Sequence, residues 1–76
     1  MSAGWRTWVI EARISDGDEW LEVATQQSDV MKAHDAARAY IAKHGGMARV
    51  RDPASGGIAG QFQRYGLRTW LIKHRR

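Results

Sequence analysis

The chain has no cysteine, a single proline, a single phenylalanine and no apolar run near the roughly 18 residues of a membrane span. Lack of cysteine removes disulfide staples, thiolate nucleophiles and sulfur-bound zinc, and is compatible with a reducing, cytoplasmic setting. The N-terminus has no apolar stretch behind a basic start, so no secretory leader is expected. Seventy-six residues make one domain, 1–76, with 1–4 and 74–76 expected to fray. At this size folding hides only about 60% of the open chain's surface, so the core is marginal. Four tryptophans (5, 8, 20 and 70) or pairing with a second chain could compensate.

Acid is scarce in one half only. Residues 1–35 carry seven acids against Arg6, Arg13 and Lys32, a net of −4; residues 36–76 carry nine bases against Asp52, a net of +8. Nine of the twelve bases are arginine, whose fork suits carboxylates and phosphates. Either the halves neutralise each other in the fold, or the C-terminal half offers a cationic field to an anionic partner.

From Arg6 the chain alternates, with Trp8, Ile10, Ala12 and Ile14 on one side and Thr7, Val9, Glu11 and Arg13 on the other. Asp16-Gly17 then predicts a two-residue type I′ hairpin turn. That turn would set Ile14 opposite Glu19, Ala12 opposite Leu21, Ile10 opposite Val23 and Glu11 opposite Glu22. Arg13 would face Trp20, a cation–π pair. The Glu11–Glu22 pair would repel unless an arginine from another strand intervenes. After Gln27 the period becomes helical: Ser28 as N-cap, Asp29 near the positive helix end, and a stripe of Val30, Ala33, Ala37, Tyr40 and Ile41. Lys32, Asp35, Ala36, Ala39 and Lys43 fall on the other side. Gly45-Gly46 ends this helix, which spans about Asp29 to His44.

Residues 47–52 alternate again, with Ala48 and Val50 inward and Arg49 and Arg51 outward. A turn over 52–57 leads to a strand from Ile58 to Tyr65, where Gly60 weakens the ladder or marks a bulge. Residues 67–73 are ambiguous between strand and helix, with Thr69, Trp70 and Ile72 favouring strand. The fold class is therefore α+β: an antiparallel sheet of four to five strands, β-β-α-β-β with a possible extra C-terminal strand, and one helix on one face.

No catalytic residue, cofactor or metal is expected. Ser55-Gly56-Gly57-Ile58-Ala59-Gly60 lacks the following helix and the lysine of a phosphate loop, so it reads as a hairpin turn. His34 and His44 are ten residues apart, about 15 Å along a helix, too far for shared metal ligation. Glu11 and Glu22 resemble a carboxylate dyad, but acid–base work needs a pocket that separates their pKa values.

The outer sheet face is the leading candidate, displaying Arg13, Trp20, Arg49, Arg51, Gln61, Gln63 and Tyr65. Arginine forks suit phosphates, and flat rings suit unstacked bases. Arg64, Arg68, Lys73, Arg75 and Arg76 add cationic charge. DNA, RNA or a nucleoprotein complex is the expected partner, and no membrane is. The alternative is a host effector protein, met through a free strand edge and the acids Asp16, Asp18, Glu19 and Glu22. A homodimer that completes the core is a third expectation.

Trp8-Val9, the alanine-rich helix, Arg51-Asp52, Gly57-Ile58 and Tyr65-Gly66 stand in an order that resembles a short bacterial and phage β-β-α-β-β domain-of-unknown-function family. The longer Asp52–Ser55 turn and the extension beyond Leu67 depart from that pattern, and its matched residues imply layout without activity. Residues 5–44 are similar in layout to the arm-type DNA-binding domains of phage integrases, though no DNA-contacting residue carries over. In size and style the chain also resembles the small phage proteins that act on host machinery, anti-CRISPR inhibitors among them. These resemblances imply a non-enzymatic phage-type or mobile-element binding module.

Overall fold

The structure, a computed structural model, describes residues 5–65 and 68–72; of Tyr65 and 68–72 it describes the backbone alone. Five strands and one helix follow in the order β1 (Arg6–Arg13), β2 (Leu21–Ser28), α1 (Val30–His44), β3 (Met47–Arg51), β4 (Ile58–Tyr65) and β5 (Arg68–Ile72). The strands form one sheet, β2-β1-β3-β4-β5, with every neighbouring pair antiparallel. This is the expected α+β arrangement, and the ambiguous C-terminal segment supplies a fifth strand. Since β2 and β3 both run against β1, they are parallel to each other, and α1 is the crossover such a connection requires.

The helix-side face of the sheet is the core. Trp8, Ile10 and Ala12 of β1, Ala48 and Val50 of β3 and Phe62 of β4 close on Ala33, Ala37 and Ile41 of α1. The four alanines let the helix lie close to the sheet, while Ile10, Ile41 and Val50 are almost wholly buried. Burial of each such large side chain contributes about 1.5–3 kcal/mol. The Trp8 indole enters this apolar layer without a stranded donor, because Nε1 donates to the Ser28 carbonyl at 3.1 Å. Val30 and Tyr40 flank the helical stripe as expected; Ala36, expected on the solvent side, is half-buried against the core.

The first hairpin departs from its predicted form. The Asp18 amide does donate to the Ser15 carbonyl, so Asp16-Gly17 is the turn centre. Gly17 has φ +93°, yet no other residue type among those described has positive φ, whereas a type I′ turn needs it at both central positions. Residues 14–20 consequently form a loop, and Ile14 lies 71% exposed outside the strand. Ala12–Leu21 and Glu11–Glu22 pair as expected. The register then slips, and Ile10 meets Ala24 rather than Val23, which is left as the extra residue of a bulge.

The helix N-cap is Asp29, not Ser28: the Asp29 carboxylate accepts from the Lys32 amide at 2.9 Å. Ser28 is still the partner of Arg6 in the β1–β2 ladder, and its carbonyl holds Trp8, so the chain leaves the sheet one residue later than expected. At the other end Gly45 caps α1, donating to the Ile41 carbonyl at 2.7 Å. Gly46 follows with φ +82°, and a Cβ there would lie 2.5 Å from the Arg13 carbonyl oxygen. Only glycine permits the helix end to touch the end of β1 and start β3 beside it.

The 52–57 turn satisfies its own polar groups. The Asp52 amide donates to the Gly57 carbonyl, Gly56 donates back to Asp52, and the Asp52 carboxylate accepts from the Ala54 amide. A strand follows it, as the hairpin reading requires. The suspected bulge in β4 is present: Val50 pairs with Gly60 and Arg51 with Ile58, leaving Ala59 unpaired. Gly60 is buried, and a Cβ on it would sit 2.8 Å from Nε2 of His34, whose ring packs edge-on against Phe62 at 5.3 Å.

Gly60→Ala should therefore force the His34 ring aside and lower stability by about 1–3 kcal/mol. In a His34→Ala background the same change should cost much less, and denaturant unfolding of the four-protein cycle measures the difference.

Candidate binding surface

The outer face of the sheet is organised around Glu11. Its β1 position pairs with Arg49 on β3, and Val9 beside it pairs with Arg51, so both guanidinium groups extend over the same carboxylate. Arg49 Nε donates to Glu11 Oε1 at 2.7 Å and Arg51 Nε to Oε2 at 3.1 Å. Each carboxylate oxygen has its own cation, although only 12% of the Glu11 side chain meets solvent. Burial acting alone would push the Glu11 pKa up. The hydrogen bonds and charges of Arg49 and Arg51 together outweigh it and hold the carboxyl below its ordinary 4.5.

The network continues sideways. Arg49 lies over one part of the Trp20 ring system at 4.3 Å, and Arg13 lies over it at 4.4 Å. Arg13 in turn donates to Asp16 Oδ1 at 2.8 Å and to the Asp18 carbonyl at 3.3 Å. One string of contacts, Arg51–Glu11–Arg49–Trp20–Arg13–Asp16, thus runs from the middle strand to the hairpin loop and ties that loop to the sheet. The Arg13–Trp20 pair is the one read from the sequence. Arg49 and Arg51 are also the intervening cations that relieve the Glu11–Glu22 juxtaposition.

Four of the sequence-predicted nucleic-acid residues, Arg13, Trp20, Arg49 and Arg51, are brought together here. Gln61 and Gln63 pair with Arg49 and Met47 and extend the same face. Arg64 stands apart: its guanidinium donates to the Ala42 carbonyl at the C-terminal end of α1, at 2.7 Å. The side chains of Tyr65 and Arg68, and all of Lys73, Arg75 and Arg76, lie outside the described residues. Arg6 pairs with Asp52 at 2.8 Å and Arg38 with Asp35, so all six arginines with described side chains already hold an acid or a carbonyl. The late-chain cations Arg49 and Arg51 spend themselves on an early-chain carboxylate.

Of the four acids in the alternative reading, Asp16 holds Arg13, and Asp18 Oδ2 accepts from both the amide and the hydroxyl of Ser15 at 3.1 Å. Glu19 and Glu22 are exposed and have no partner among the described residues. Glu19 borders a feature the sequence did not announce: an open groove of about 460 Å³ between the start of β2 and the last turns of α1. Leu21, Val23 and Tyr40 form its apolar lining, and Asp18, Glu19 and His44 stand around it. The Tyr40 and His44 rings lie 4.4 Å apart. A hint was present in Ile14 and Leu21, large apolar residues flanking an acidic loop, which are 71% and 61% exposed.

Among the described residues no group of three or more His, Asp or Glu side chains could hold a metal, and no helix is long and apolar enough to cross a membrane. Comparison with protein-family profiles, curated proteins and solved structures finds no match to this chain.

Acid should unlock the outer face. A carboxyl whose folded pKa is lowered contributes stability that is complete above its unfolded value and is lost as pH falls through the folded one. Unfolding free energy should thus be flat above about pH 5 and drop below 4.5. Glu11→Gln should cost about 1–3 kcal/mol at pH 7 and reduce that acid limb, leaving the part due to Asp52, whose carboxyl the Ala54 amide and Arg6 hold low. Urea titrations between pH 3 and 7 test both.

Proposed function

We propose that this chain is a non-catalytic docking module for another protein, which adds an extended, basic segment to the free edge of β2. The observation that carries this reading is the contrast between two surfaces. On the sheet face, the arginines and the ring expected to meet nucleic acid are occupied by one another and by Glu11 and Asp16. A phosphate arriving there would meet guanidinium groups whose charge Glu11 and Asp16 already offset, so its attraction to that face is weakened.

The β2 edge has the opposite character. Among the described residues it is one of the sheet's two outermost strands, eight residues long, without proline, lysine or arginine, and Glu22 is its only charge. After the bulge at Val23 the stretch Ala24–Ser28 keeps an unbroken register with β1, so its outward backbone groups form a regular template. Pairing another strand there supplies main-chain hydrogen bonds, and neighbouring pockets supply selectivity. Glu19 and Glu22 at the beginning of the edge favour cations on the incoming segment. By occupying that segment, the module would block whatever it otherwise engages.

An alternating Lys-Val octapeptide should bind, protecting the amides of residues 24–28 from hydrogen exchange, and a Glu-Val octapeptide should bind far more weakly. Thr25→Lys combined with Gln27→Lys, both exposed positions, should weaken the Lys-Val peptide about tenfold or more, near 1.4 kcal/mol, with the thermal midpoint little changed. Duplex DNA and single-stranded RNA are the counter-test. Binding near 1 µM that collapses with salt, together with an unprotected edge, would overturn this reading in favour of a nucleic-acid role.

A further inference from the structure

We infer that the groove between the start of β2 and the end of α1 is an anchor pocket for one bulky apolar side chain whose neighbour in the same segment is a lysine or arginine. This rests on the protein-docking reading and adds the chemical class of the segment. Size comes first. An apolar cavity of about 150 Å³ already admits a benzene ring. The groove, at about 460 Å³, has room for a leucine or aromatic side chain together with the backbone that carries it.

The lining gives the second argument. Leu21 is 61% exposed and Ile14 beside it 71%, so the chain leaves two large apolar side chains facing water at this one place. Covering them removes apolar surface worth about 25 cal/mol per Å². The bulge matters here, because Val23, the extra residue in β2, packs against the core and also lines the groove. The strand therefore presents an open backbone from Ala24 onward and an apolar recess just before it.

Charge supplies the third. Arg13 also borders the groove, but its guanidinium is held by Asp16 and stacked on Trp20. Asp18 turns one carboxylate oxygen to Ser15, and Glu19 is unengaged. The C-terminal end of α1 meets the groove at His44 and Gly45, its Ile41 and Ala42 carbonyls already taken by the Gly45 amide and by Arg64. The two carboxylates therefore set the charge at the groove's β2 side, where they favour a cation beside the apolar anchor and disfavour an acid.

The test uses capped dipeptides small enough to miss the strand edge, followed by amide chemical shifts of the full chain. Acetyl-Leu-Lys-amide should shift residues 21, 23, 40, 44 and 45 and saturate. Acetyl-Gly-Lys-amide and acetyl-Leu-Glu-amide should each bind at least fivefold more weakly. Asp18→Asn with Glu19→Gln should equalise the Lys and Glu dipeptides, and Leu21→Ala should weaken the leucine ones while the spectrum stays folded. Equal binding of all three dipeptides, or shifts confined to other residues, overturns the pocket. If the Lys-Val octapeptide still protects residues 24–28 in that case, the edge reading survives it. If the dipeptide fills the groove but no strand is added, the edge reading falls and the pocket stands.

Discussion

The carboxylate of Glu11, nearly buried and gripped by Arg49 and Arg51, is the constraint on which the outer half of the molecule depends. It joins two strands that are far apart in the chain, and it fixes Arg49 where that side chain can lie on Trp20. Trp20 is also contacted by Arg13, and Arg13 holds the loop through Asp16. A solvent-exposed ion pair contributes little, but a carboxylate withdrawn from water with both oxygens paired contributes more and defines geometry. Loss of its charge would leave two guanidinium groups side by side on β3 with no carboxylate between them.

That arrangement redirects the search for function. The sequence divides its charge so unevenly that a cationic surface is the natural first expectation. In three dimensions part of that division is internal, since one early acid, Glu11, meets two late bases across the β1–β3 ladder. The proposed docking surface is uncharged backbone along β2 and an apolar recess with acids beside it. The strand and those acids belong to the N-terminal, acidic half of the chain, while Tyr40, His44 and Gly45 close the recess from the other half. The sign of the overall charge is therefore a poor guide to the sign of that proposed surface.

Much of the architecture was legible because it is local. Alternation in residues 6–13 and 47–51, the strand returning over 58–65 after its turn, the helical stripe from Val30 to Ile41 and the Gly45 stop each follow from a short window of sequence. The Arg13–Trp20 contact was legible too, since one turn brings its members together. The slip at Val23 was not: it depends on how the strand accommodates a loop longer than the Asp-Gly signal suggested. Ser28 looked like a cap because nothing local shows that the Trp8 indole needs its carbonyl. The grip on Glu11 was foreseen only as a requirement that some arginine relieve it, since which strand lies beside β1 is set by the crossover. Of the groove only the apolar residues Ile14 and Leu21 beside the acidic loop gave a hint, because a gap between two elements is measured by no residue pattern.

The strand order has a consequence for how the chain assembles. β1 with β2 forms a hairpin between sequence neighbours, and β3, β4 and β5 form a meander of the same kind. The seam between β1 and β3 is the one ladder that joins strands separated by a helix. Closing it means bringing together residues some 38 positions apart, as Glu11 and Arg49 are, at an entropic cost that local hairpins avoid. Two prefabricated pieces are thus welded along a single line. The chain cannot commit to its native topology until the ribosome has released enough of β3 to make that weld.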